Sequence, residues 1–271
     1  MGSQNGLVDD PLYLPITDEE EVRTLYDELP LAGDSGDFVQ FVLGFPRHYL
    51  VKTARVDIVK HFLLMKSRGN QPFASSLYRR EGVWRLCLIT EDRGQLFSRI
   101  AGTLSCSGMD IRSADAFANA SAVVLDTFEF TDPGNAFASS QRQQSFHDLL
   151  EKVLAGRQDL EELFESRAGQ VCILDDRPPK IRMDNSQHPD TTCLSIDFPD
   201  HFGHLYLTSR CISEQGGNIE MAYVHISGSR IHDEFYLTCN GEKLTTRQQE
   251  ELQEALAQVM RPYQKPQAVG L

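Results

Sequence analysis

Long apolar runs are missing from this chain. No stretch approaches the 18 or more consecutive apolar residues of a membrane-spanning helix. The opening residues, MGSQNGLVDDPLYLP, hold neither a basic n-region nor an apolar h-region. Neither membrane association nor export is expected, which leaves a cytoplasmic address. Basic residues are scarce: 26 Lys and Arg stand against 39 Asp and Glu, for a net charge of −13. Such a surface repels a phosphate backbone and excludes non-specific nucleic-acid binding. Six cysteines, at 87, 106, 172, 193, 211 and 239, form no Cys-x-x-Cys pair, so neither a zinc ribbon nor a redox pair is indicated. Cys87 in WRLCLIT and Cys239 in FYLTC sit within apolar runs, as small buried hydrophobes of a reducing compartment do. Paired metal-binding carboxylates and a phosphate-cradling glycine loop are also missing.

What is present is a globular composition, 41% hydrophobic and 24% charged, over 271 residues. That length suits two or three domains rather than one small core. Residues 1–80 read as helical. Thr17 with Glu20 makes a capping box ahead of EEEVRTLYDEL, DFVQFVLGF continues the apolar pattern, and Val56, Val59, Phe62 and Leu63 recur at helical spacing after Thr53. From Trp84 the period changes. WRLCLIT reads as a strand, and residues 95–107 as a helix with Leu96, Phe97, Ile100, Ala101 and Leu104 on one face. MDIRSADAFA and SAVVLDTFEFTD read as two strands, and SQRQQSFHDLLEKVL as a helix with Phe146, Leu149, Leu150, Val153 and Leu154 facing inward. After a proline-bearing connector the same β-α-β-β-α order returns in TTCLSIDF, HLYLTSRCIS, NIEMAYVHIS, RIHDEFYLTC and TTRQQEELQEALAQVM. Asp92 to Asp110 and Asp200 to Asn218 are both 18 residues apart, so the two copies keep register.

The quoted residues carry a resemblance. TEDRGQLFSRIAG, GMDI and LDTF in the first repeat, and PDHFG, GGNI and RIHDEFYLT in the second, resemble the ACT domain, a ferredoxin-like βαββαβ module that binds small regulatory ligands, commonly amino acids. With IRMDN in the connector and GEKL near the end, the tandem is similar to the C-terminal ACT pair of the bifunctional PII uridylyltransferase/uridylyl-removing enzyme, the glutamine-sensing end of that protein. The similarity extends over residues 45–263. It implies an α+β fold of two ferredoxin-like (ACT) domains in tandem, with a helical region at 1–80, the first domain and its connector at 81–186, and the second domain at 187–271. The catalytic domains of that enzyme have no counterpart here: His147–Asp148 and His232–Asp233 supply its His-Asp dipeptide, but each within an ACT element, and no metal is expected.

A strand turning tightly into a helix presents bare N–H groups at the positive end of the helix dipole, a ready site for a carboxylate. A glycine in the turn admits close approach, and a polar residue opening the next strand can accept a hydrogen bond from an ammonium group. The ligand-binding residues so implied are Asp92, Arg93, Gly94, Gln95, Leu96, Asp110 and Ile111 of the first repeat, and Asp200, His201, Phe202, Gly203, His204, Leu205, Asn218 and Ile219 of the second. The resemblance places the turn of one copy against the second strand of the other. The bland alternative makes Asp92 and Asp200 helix N-caps, and Gly108 and Gly217 helix stops. His201 and His204 either contact a carboxylate and titrate near neutrality or are exposed loop histidines. The first repeat has Asp92-Arg93-Gly94-Gln95 where the family has Asp-Arg-Pro-Gly. The second keeps Gly203, which makes it the more competent turn.

The expected function is therefore regulatory and non-catalytic: an amino-acid sensor, glutamine first, in nitrogen or amino-acid signalling, without cofactor. The resemblance implies a PII-type signalling protein or a separate enzyme as partner, and a homodimer through the ACT sheets. The alternatives are a uridylyltransferase-related protein with residual or partner-supplied activity, and a structural interaction module that binds nothing.

Overall fold

The computed structural model describes residues 16, 18–28, 35–91, 94–135, 137, 139–168, 180–227 and 230–260. Four helices lead: α1 (Glu19–Asp27), α2 (Ser35–Leu43), α3 (Arg47–Lys52) and α4 (Arg55–Arg68). Asp18 caps α1 by accepting from the Glu21 amide at 2.9 Å. The expected cap Thr17 lies outside the described residues. The face of α4 is rotated from the expected one: Asp57, Ile58, His61 and Phe62 are buried, while Leu63 is 48% exposed.

The first sheet is built from β1 (Phe73–Arg80), β2 (Val83–Glu91), β3 (Asp110–Ala118) and β4 (Val123–Thr131), with α5 (Leu96–Cys106) between β2 and β3. Its order is β1-β2-β4-β3. After it come α6 (Ser140–Leu154) and α7 (Leu160–Ala168). The second sheet holds β5 (Lys180–Asp184), β6 (Thr192–Pro199), β7 (Asn218–Tyr223), β8 (Ile226–Ser227) and β9 (Arg230–Thr238), with α8 (His204–Glu214) after β6 and α9 (Thr246–Val259) after β9. Its order is β5-β6-β9-β7, with β8 beside β9. The pairings within this second sheet are antiparallel.

Both repeats thus have the ferredoxin-like sheet order, and the fold is α+β with a helical N-terminal segment. The order along the chain differs from βαββαβ in one respect. The edge strand beside the first core strand comes before it, giving ββαββα. This corrects two expectations. The helical region stops at Arg68, because Phe73–Arg80 is a strand of the first sheet, and the second sheet starts at Lys180 rather than after 186. The first edge strand is closed by a two-residue turn in which Glu81 (φ 51) and Gly82 (φ 87) are both left-handed, the geometry of a type I′ hairpin.

The described residues of Met1–Tyr78, Arg85–Asp92 and Ala116–Thr127 form one compact unit, and those of Arg79–Trp84, Arg93–Asp115 and Phe128–Leu271 a second. The first has an aromatic core in which Phe38, Phe41, Phe45, Tyr49 and Phe62 bury with Ile89, Phe117 and Leu125. Asn119 ties the strand end to α2 by donating to the Phe41 carbonyl oxygen at 2.8 Å. In the second unit α5 packs against α8, and α5 is buried on nearly every side. Gly102 allows the close approach: a Cβ there would lie 2.7 Å from Leu160 and 2.8 Å from Tyr206.

Candidate functional site

Helices α5 and α8 begin identically. Gln95 (φ 64, ψ 17) and Gly203 (φ 69, ψ 18) are left-handed N-caps, and neither helix has a side-chain cap. The repeat alignment pairs these two residues, and their backbones superimpose in conformation. The reason for glycine in the pattern follows: the turn requires positive φ, which costs a side-chain-bearing residue such as Gln95 roughly 1–2 kcal/mol. Asp200 is therefore not the N-cap. The stop after α8 is likewise Gly216 (φ 77) rather than Gly217. Gly217 serves packing, since a Cβ there would come within 2.8 Å of Ile212.

The turn of the second repeat and the strand start of the first share one cleft of about 350 Å³. It is lined by Asp110 and Ile111 with Ser105, Gly108 and Met109 on one side, and by Asp200, His201, Phe202, Gly203, His204 and Leu205 on the other. The first turn of α8 starts from Gly203 without a side-chain cap; the His204 amide donates to the His201 carbonyl oxygen at 3.2 Å, and the next two amides lack an intrahelical acceptor. Asp110 faces this end while paired with Arg112 at 2.6 Å, and its carboxylate retains further lone pairs.

The reciprocal pairing is not formed in the same way. Gln95 lines a separate cleft of about 480 Å³ with Arg99, Gly156, Glu161, Tyr206 and Arg210, and Asn218 and Ile219 are not part of its lining. Asn218 is exposed and donates to Glu220 at 2.9 Å. Gly94 is exposed, Leu96 is buried, and Asp92 and Arg93 lie outside the described residues. The two turns therefore have unequal surroundings.

Two readings of the second turn are corrected. First, the space left by the missing side chain of Gly203 is taken by Phe164 of α7, whose ring would lie 2.1 Å from a Cβ. That ring stacks on Phe202 with centroids 5.0 Å apart and also meets Tyr206 at 4.8 Å. Close approach at Gly203 thus serves packing of α7. Second, the histidines are not exposed. His204 is buried and His201 mostly so.

His204 Nδ1 donates to the His201 carbonyl oxygen at 3.2 Å and lies 3.4 Å from Asp200, while Nε2 lies 3.6 Å from the fully buried Asp233 of β9. Burial works against charge on His204, yet the bond to Asp200 and the charge of Asp233 outweigh it and raise its pKa above the ordinary value. Burial pushes Asp233 up to about 6 against the pull of His204. Asp200 is lowered despite burial by its bond to His204, and His201 falls to about 4, first through burial and then through the neighbouring His204 charge. The sequence contained the signal for this pair, a His at the first helical position and an Asp in the central strand. Nothing in it showed that the two would meet.

Asp126 of β4 and Asp233 of β9 are both buried. Among the described residues no three His, Cys, Asp or Glu side chains gather to hold a metal ion, and no helix is long and apolar enough to cross a membrane.

The fold and this cleft define a class, a tandem pair of ferredoxin-like domains with a small-molecule-sized cleft formed by elements of both. No protein-family model matches the chain. It is similar to part of the bifunctional uridylyltransferase/uridylyl-removing enzyme. The relative from Azospirillum brasilense is 27% identical over 215 residues, 75% of this chain and 23% of the relative. That from Gluconobacter oxydans (strain 621H) is 29% identical over 204 residues, 72% and 21%. That from Pseudomonas putida (strain F1) is 24% identical over 237 residues, 83% and 26%. The chain spans between 21% and 26% of the length of these curated relatives.

Proposed function

We propose that this chain is a regulatory amino-acid sensor of nitrogen signalling, with glutamine as the leading ligand and a PII-type protein or a separate enzyme as its partner. The observation that carries the reading is the cleft itself, where the start of α8, which has no side-chain cap, and Asp110 line the same space. A zwitterion has the matching poles: its carboxylate takes the α8 amides and its ammonium group takes Asp110. The cleft of about 350 Å³ lies in the size range of small-molecule sites. The similarity to one portion of a uridylyltransferase/uridylyl-removing enzyme supports a regulatory role within that setting, since the shared portion is 21–26% of each relative. The second repeat supplies the turn and the first supplies the strand, so one ligand per chain is expected.

Titration calorimetry against a panel of amino acids tests this. One amino acid should bind, and Asp110→Ala should weaken it about 10- to 100-fold, the cost of a lost charged hydrogen bond. Asn218→Ala should leave affinity unchanged. Heats indistinguishable from dilution for every amino acid, or a loss that follows Asn218 instead of Asp110, would remove the reading.

A further inference from the structure

We infer that ligand binding in this cleft is linked to a proton on His204, so that the site takes up a proton as it fills. The inference rests on the amino-acid reading above and adds its regulation. His204 occupies the first helical position of α8, the place that Leu96 holds in the first repeat. A buried imidazole has replaced a buried aliphatic group at one of two matched positions.

Its surroundings specify a charged ring. Nδ1 faces Asp200, which is 35% exposed at the cleft, and Nε2 faces Asp233, whose side chain is wholly enclosed. A neutral imidazole carries a proton on one nitrogen only, so one carboxylate would then face a lone pair. The protonated ring offers a donor to both. Neither Nε2 nor either oxygen of Asp233 makes a hydrogen bond of ordinary length among the described residues. The attraction across 3.6 Å is the largest compensation of the buried carboxylate, with the neighbouring His225 second.

The other groups around His204 fix the sign. From its own turn come Asp200 and the His201 ring, and from β9 comes Asp233. The His225 main chain stands near Asp233, and from β3 come Asp110 with its partner Arg112, which also acts on Asp200. The positive end of α8 opposes charge on His204. A ligand carboxylate seated on the α8 amides offsets that end and adds a third anion beside the ring. With His204 neutral, the same carboxylate meets Asp200 and Asp233 without compensation. Bound ligand thus favours the protonated ring. His204 links an exposed cleft carboxylate to a buried strand carboxylate, so loss of its proton is felt in both places.

The experiment uses the whole chain and L-glutamine as probe. Calorimetry at pH 6, 7, 8 and 9 should show affinity falling toward tenfold per pH unit once His204 titrates in the free protein. At pH 8 the heat should differ between phosphate and Tris by an amount that reports proton uptake. His204→Gln and Asp233→Asn should each flatten the pH dependence and abolish the buffer dependence. Imidazole NMR shifts of the free chain give an independent readout: His204 should titrate above His61 and His201, and Asp233→Asn should lower its midpoint. Glutamine binding of equal strength from pH 6 to 9, with equal heats in both buffers, overturns the proton link and leaves the sensor reading standing. No glutamine binding at any pH overturns the link, and the amino-acid panel then decides the sensor reading separately.

Discussion

Replacing Gly203 by alanine probes the packing of the second turn directly. Two costs arise from the geometry. The residue must hold φ near 69, which costs a residue with a Cβ about 1–2 kcal/mol. The new methyl would also sit 2.1 Å from Phe164 Cε2 and 2.6 Å from Cζ, far inside contact distance. The ring must move off its stack on Phe202, and overpacking of this kind costs about 1–3 kcal/mol. Gly203→Ala should therefore destabilise the protein by about 2–5 kcal/mol. Phe164→Ala alone should cost about 3–5 kcal/mol through the cavity it leaves. In that background the clash is gone, and Gly203→Ala should cost only the backbone portion. A double-mutant cycle by urea unfolding would then give a coupling of about 1–3 kcal/mol. Equal cost of Gly203→Ala in both backgrounds would refute the Phe164 contact. It would also reopen Gly203 as a point of ligand approach.

Gln95 bears the same conformation without glycine, so Gln95→Gly should stabilise the chain by about 1 kcal/mol, read as a higher urea midpoint with an unchanged slope. His61 is fully buried, with Nδ1 3.0 Å from the Tyr49 hydroxyl, and burial lowers its pKa to about 4. The unfolded chain binds this proton more readily, so the stability concerned is complete above pH 6.5 and is lost as pH falls toward 4. The loss approaches about 3 kcal/mol. Unfolding at pH 7, 6 and 5 should show a shallower acid limb for His61→Gln than for the parent protein, and parallel limbs would contradict the assignment.

The repeat was legible because its register is carried by apolar periodicity and by turn chemistry that needs no tertiary context. That register pairs Gln95 with Gly203, although the left-handed conformation they share came only with the structure. The edge strands were not legible in the same way. FASSLYRR and KIRMD mix small, charged and apolar residues, since an edge strand buries little. The Glu81–Gly82 pair between FASSLYRR and WRLCLIT was the available hairpin signal for the first of them. At the site, the meeting of Asp110 with the second turn was expected from the resemblance, whereas Phe164 was out of reach. It lies on a helix outside the repeated unit, and only packing brings it to Gly203. The burial of His204 was hidden for a related reason. A histidine beside a loop reads as solvated until the strand carboxylate beneath it is known.

Placing the edge strand ahead of its neighbour alters how each half can assemble. In the βαββαβ arrangement the outer strand returns from the far end of the sequence, and its pairing must wait for the whole module. Here Lys180–Asp184 needs only a short link to reach its partner at Thr192–Pro199, so loop closure is brief and entropically mild. Low sequence separation favours rapid pairing. A ribosome would release that hairpin before the helices that cover it, and the remaining strands could add to an edge already in place.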